Sequence, residues 1–172
     1  YKVVSVYLRQ SFDLDASTAA SGADLRFSVD YDDGFVAYLN GKELARRQLG
    51  APGDTVRYTD TAGLHEAGSP EIISIPDAAS FLQEGVNVLA IQVHNFSLSS
   101  SDMSMIADLE LDQNPSSPLV RSGDTWRYFV GTGEPSPFPL PTEPPEDLSD
   151  FVDWIELINT GAAPVSLQGW SL

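Results

Sequence analysis

Asp30-Tyr-Asp-Asp-Gly-Phe-Val-Ala-Tyr-Leu-Asn-Gly-Lys-Glu-Leu-Ala-Arg46 is the stretch on which the fold turns. Phe35, Ala37 and Leu39 alternate with Val36, Tyr38 and Asn40, which is the two-residue period of a β-strand. Asn40-Gly41 is the favoured central pair of a type I′ hairpin turn, because both positions need positive φ. Lys42 to Ala45 then begins the return strand. At the opposite end Asp30, Tyr31, Asp32, Asp33 and Gly34 form an acidic corner, with Gly34 expected to permit the turn.

The same period recurs on both sides of this hairpin. Residues 2–14, 23–31, 71–75, 86–94 and 103–111 read as strands. Residues 15–22, 49–70 and 95–102 are polar or turn-rich and read as loops, and Pro76-Asp77 opens a helical turn that Gly85 ends. With thirteen glycines and twelve prolines punctuating short strands, the fold class is all-β.

Charge narrows the partners. Nine basic against twenty-five acidic residues give a net charge of −16, which argues against nucleic acid and against anionic membranes, since both need clustered Lys and Arg. No apolar run approaches a membrane span, so no membrane insertion is expected. The absence of cysteine excludes disulfides, thiolate metal sites and cysteine nucleophiles.

Two pieces, "DDGFVAYLNGKELAR" and "FLQEGVNVLAIQVHN", occur in that order with an irregular stretch between them. Together they resemble the galactose-binding-like jelly roll, a β-sandwich of secreted bacterial multi-domain proteins and of many glycoside hydrolases. The resemblance covers about residues 1–112. Residues 113–150 read as a Pro-rich linker with a candidate extra strand at 125–130. Within 151–172, "DWIELINTG" and "PVSLQGWSL" resemble the first strands of a lamin tail domain, an immunoglobulin-like sandwich of which only the start is present.

The resemblance implies a non-catalytic extracellular accessory or structural module, binding carbohydrate or protein at a bacterial cell surface. Two alternatives stand beside it. One is a subunit of an extracellular filament or layer that self-assembles by β-strand pairing through 151–172; the other is an accessory piece of a larger secreted hydrolase. Catalysis is not expected from the residues themselves. No Gly-x-Ser-x-Gly elbow is present, and His65 and His94 lie in no recognisable triad. His94, at the end of an apolar strand, is expected to bond a loop carbonyl.

Sugar binding needs rings to stack on a pyranose and polar groups to bond its hydroxyls. Tyr31, Arg57, Tyr58, His65, Asn95 and Phe96, on or beside the loops 49–70 and 95–102, are the candidates. Trp126, Trp154 and Trp170 read as core anchors of the C-terminal strands. Calcium is the expected cofactor, because it takes several carboxylate oxygens on a turn. Asp30, Asp32 and Asp33 either supply such oxygens or form a solvated turn whose carboxylates cap backbone N–H groups, and an EF-hand is excluded because its twelfth position would fall on Gly41. The jelly-roll resemblance adds a calcium between an early loop, with Asp13 and Asp15, and the last strand, with Asp108 and Glu110.

Overall fold

The computed structural model describes residues 3–112 and 118–135, and the backbone of 155–158. Two antiparallel sheets face each other as a β-sandwich. The strands are β1 (Ser5–Leu14), β2 (Leu25–Asp32), β3 (Gly34–Leu39), β4 (Lys42–Arg47), β5 (Glu71–Ile75), β6 (Gly85–His94), β7 (Ser104–Leu111), β8 (Thr125–Val130) and β9 (Ile155–Ile158). The larger sheet runs β4-β3-β6-β1-β8-β9 and the smaller β5-β2-β7.

The core lies between the sheets, where alternate residues of each strand point inward. Phe27 and Leu109 from the smaller sheet meet Phe35, Leu39, Leu89 and Ile91 from the larger, all essentially fully buried. Phe35 packs edge-on against both Phe27 and Tyr31. Each such side chain contributes roughly 1.5–3 kcal/mol by leaving water, so this layer holds the two sheets together.

The hairpin closes as its sequence requires. Asn40 and Gly41 have φ of 52° and 80°, and β3 pairs with β4 with a bulge beside Tyr38. Asn40 also reaches beyond its turn. Its Nδ2 donates to the Phe81 carbonyl at 2.8 Å and to Asn87 Oδ1 at 2.7 Å, and its Oδ1 accepts the Val88 amide at 2.9 Å. Buried Asn87 in turn bonds Gln83 and the Gly85 carbonyl, locking the turn to the start of β6.

Several elements differ from the sequence reading. Residues 16–19 form one helical turn, α1 (Ala16–Ala19), because the Asp15 carboxylate caps it by accepting the Thr18 amide at 2.8 Å. The segment 49–70 carries no strand, yet it is packed: Leu49, Val56 and Ala62 bury Val36 on the outer face of β3. Gly34 lies outside the left-handed region; its role is close approach, since a Cβ there would meet the Ala62 Cβ at 2.6 Å. The candidate strand at 125–130 is β8, and it lies beside β1 in the larger sheet. Residues 155–158 pair with β8 as β9. The other residues of the lamin-tail-like stretch, with Trp154 and Trp170, fall outside the described residues.

Candidate functional site

Two places concentrate polar groups. The first is the acidic corner where β2 ends, with the 60s and the loop after β6 folded against it. Asp33 Oδ1 accepts the His65 amide at 3.0 Å and its Oδ2 accepts the Phe96 amide at 2.8 Å. Asp30 Oδ1 accepts the Gly68 amide at 2.7 Å. These carboxylates hold loop backbone that has no strand to pair with. Tyr31 stacks on the His65 ring with centroids 4.1 Å apart, and His65 Nδ1 donates to the Tyr31 carbonyl at 3.0 Å.

The six expected sugar-binding residues divide. Tyr31, His65 and Phe96 converge on the corner, but Tyr31 is buried in the core and only Phe96, at 41% exposure, offers its ring to solvent. Asn95 is buried, with its carbonyl accepting the Ala62 amide. Tyr58 is drawn elsewhere: its carbonyl accepts the Ser5 hydroxyl at 2.8 Å and its amide donates to Glu134 at 3.2 Å. Arg57 is exposed, its amide bound to the Asp60 carboxylate.

Four of the five expected metal ligands have other work. Asp30 and Asp33 accept backbone amides, as above. Glu110 pairs with Arg26 across β2 and β7 at 2.8 Å, and Asp108 accepts the Ser122 amide at 2.9 Å. Asp32 remains uncommitted.

The second place is a cleft of about 290 Å³ on the outer face of the larger sheet, lined among others by Tyr7, Arg9, Tyr38, Asn40, Gln92 and Pro135. It forms where β1, β3 and β6 run side by side: Tyr7 is opposite Gln92, and Tyr38 opposite Ala90. Residues whose neighbours in sequence face the core here face outward. Gln92 Oε1 is buried with no hydrogen-bond partner among the described residues. Burial pulls Arg9 down to about 10, so it stays cationic at neutral pH. Burial, helped by Glu134, pushes Tyr7 up to about 12; the Ser5 hydroxyl, already donating to Tyr58, offsets this only in part. Both tyrosines are neutral donors at physiological pH, Tyr38 being raised by burial too. Asn40 is spent on its turn, so the other polar groups lining the cleft are Tyr7, Arg9, Tyr38 and Gln92.

The sequence reading missed this cleft. Its signal was the outward set Tyr7, Arg9, Tyr38 and Gln92, visible as strand alternation, but only the strand order brings them to one surface.

His94 sits at the end of β6, fully buried, with Nδ1 donating to the Asp60 carbonyl at 2.8 Å and Tyr7 edge-on at 6.4 Å. This is the loop-carbonyl bond expected for it. Burial lowers its basicity, against the opposing pull of the Asp60 contact.

No protein family and no curated protein matches the sequence. Among solved structures, native α-L-rhamnosidase from Aspergillus terreus is similar over 74% of this chain, with 16% identity and a TM-score of 0.47. An α-L-rhamnosidase from Dictyoglumus thermophilum is similar over 74%, with 14% identity and a TM-score of 0.43. This chain spans 15% and 13% of those two chains. Among the described residues no helix is long and apolar enough to cross a membrane.

Proposed function

We propose that the chain is a non-catalytic accessory module of an exported protein, and that it binds carbohydrate in the cleft on the outer face of the larger sheet. The observation that carries this reading is the buried Gln92 oxygen, without a hydrogen-bond partner among the described residues, in a cleft that Tyr7, Arg9 and Tyr38 also line. A sugar offers both halves of the match. Its C–H face packs on a ring, and its hydroxyls both donate and accept. The Gln92 oxygen only accepts, so a sugar hydroxyl satisfies it. The non-catalytic part rests on occupied groups: His94 is buried and tied to Asp60, His65 is stacked and bonded to Tyr31, and Asp30 and Asp33 hold backbone.

The test is a glycan array followed by calorimetry on the full chain. A glycan should bind, and Tyr38→Ala should weaken it about tenfold or more at a temperature where the variant remains folded. Absence of binding across the array at millimolar ligand, or binding indifferent to Tyr38→Ala, overturns the reading.

One observation favours a second reading, self-assembly by strand pairing. β9 is the outermost strand of the larger sheet, and among the described residues nothing pairs with its outer edge. Mass measured against concentration separates the two: growth with concentration that deletion of 155–172 removes supports assembly.

A further inference from the structure

Of the three corner aspartates, Asp32 alone has no backbone to hold. It is 5% exposed and, unlike Asp30 and Asp33, its carboxylate takes no hydrogen bond among the described residues. It is aimed at two other acids: one oxygen each from Asp32, Glu66 and Asp102 lie within 4.8 Å of one another. Glu66 and Asp102 are exposed, so the cluster opens to solvent on one side and is closed by Asp32 on the other. Asp102 is steadied by the Ser101 hydroxyl at 3.1 Å.

Three carboxylates brought this close repel one another unless a cation lies between them. Two nearby cations are engaged elsewhere: Arg47 is bound to Glu71 through both its Nε and its Nη2, and Arg46 to Glu43.

We propose that Asp32, Glu66 and Asp102 form a calcium site that ties the end of β2 to the 60s segment and to the loop before β7. The donors are all hard carboxylate oxygens, the chemistry calcium takes, with no sulfur ligand and with His65 Nδ1 engaged elsewhere. Oxygens on opposite sides of a calcium ion stand about 4.6–5.2 Å apart, so three oxygens inside 4.8 Å can share one ion as they lie. Three carboxylates offer up to six oxygens, and water completes the shell on the open side. The site joins two loops that the sequence reading expected to be functional. It is distinct from the calcium implied there between an early loop and the last strand, and it does not depend on the carbohydrate reading.

The experiment is thermal unfolding of the full chain, stripped with chelator and then titrated with calcium chloride or magnesium chloride. Calcium well above its Kd should raise the melting temperature by roughly 5–10 °C, and magnesium at the same concentration by less. Asp32→Asn and Asp102→Asn should each abolish the calcium shift. Stripped Asp32→Asn should melt no lower than the stripped parent, because it removes an unpartnered buried charge while keeping the shape; a merely structural acid would give the opposite. No calcium shift in the parent, a shift retained in both variants, or an equal response to magnesium overturns the proposal.

Discussion

His94 carries its proton on Nδ1, since that nitrogen faces a carbonyl, and its buried Nε2 has no partner among the described residues. Charging it would place a cation in a site that cannot solvate it, so its folded basicity lies below that of the unfolded chain, about 6.5. The sign follows. Between the two values the unfolded state binds the extra proton, so stability is intact above about pH 6.5 and falls as pH drops through that window. The groups facing it are the Tyr7 ring, Asp60 and Glu134, and the last two temper the effect. Asp32, raised rather than lowered, acts in the opposite sense below about pH 6. The His94 ring resonance, followed by NMR, should therefore titrate with a midpoint below 6.5, and His94→Gln should be less sensitive than the parent to a change from pH 7.5 to 5.5 in urea unfolding. A midpoint at or above 6.5 would contradict the buried, neutral assignment. At this scale the sequence told the residue's role and hid its partner. Asp33 shows the same: an acid on a corner is visible, but the amides it caps come from His65 and Phe96, 32 and 63 residues away.

The hairpin was the most legible element because its determinants are local. Positive φ at two adjacent positions selects Asn-Gly, and the register follows from the turn. What lay beyond reach was the second use of Asn40, whose three side-chain bonds run to Phe81, Asn87 and Val88. Asn40→Ala combines left-handed strain with lost buried bonds and should cost about 2–4 kcal/mol in denaturant unfolding. Asn40→Gly keeps the backbone freedom and loses only the bonds, so it should recover about 1 kcal/mol of that loss. Equal costs for the two variants would mean the strain is negligible. Composition alone reads the segment 49–70 as a long loop with nothing to hold it. Arg46 explains the difference: it bonds the Leu49 and Asp54 carbonyls at 2.7 and 2.8 Å and pairs with Glu43 at 3.0 Å, pinning the segment against β3. Glu43 and Arg46 flank a bulge, so their meeting is not given by strand alternation alone.

For the whole molecule, the all-β class and most strands were legible from period and punctuation, while strand order was not, because neighbours in the sheet are distant in the chain. The clearest case is β8, which the sequence placed in a linker and the structure places against β1. A chain ending at Asp112 would lose that strand together with Val120 and Tyr128, both buried in the core. It should be less stable by several kcal/mol, at roughly 1.5–3 kcal/mol per buried side chain, and should scatter light at concentrations where the full chain stays clear, because β1 then carries a bare edge. Equal melting temperatures for the two chains would place the true boundary at 112. The same pairing bears on synthesis. Val6 meets Val130, which leaves the ribosome 124 positions later. At about 5–20 residues per second that is a wait of roughly 6–25 s. Throughout it one side of a nascent strand stays open to its neighbours on the polysome, so translation speed, and any chaperone able to shield that side, should govern how much of the chain reaches its folded form.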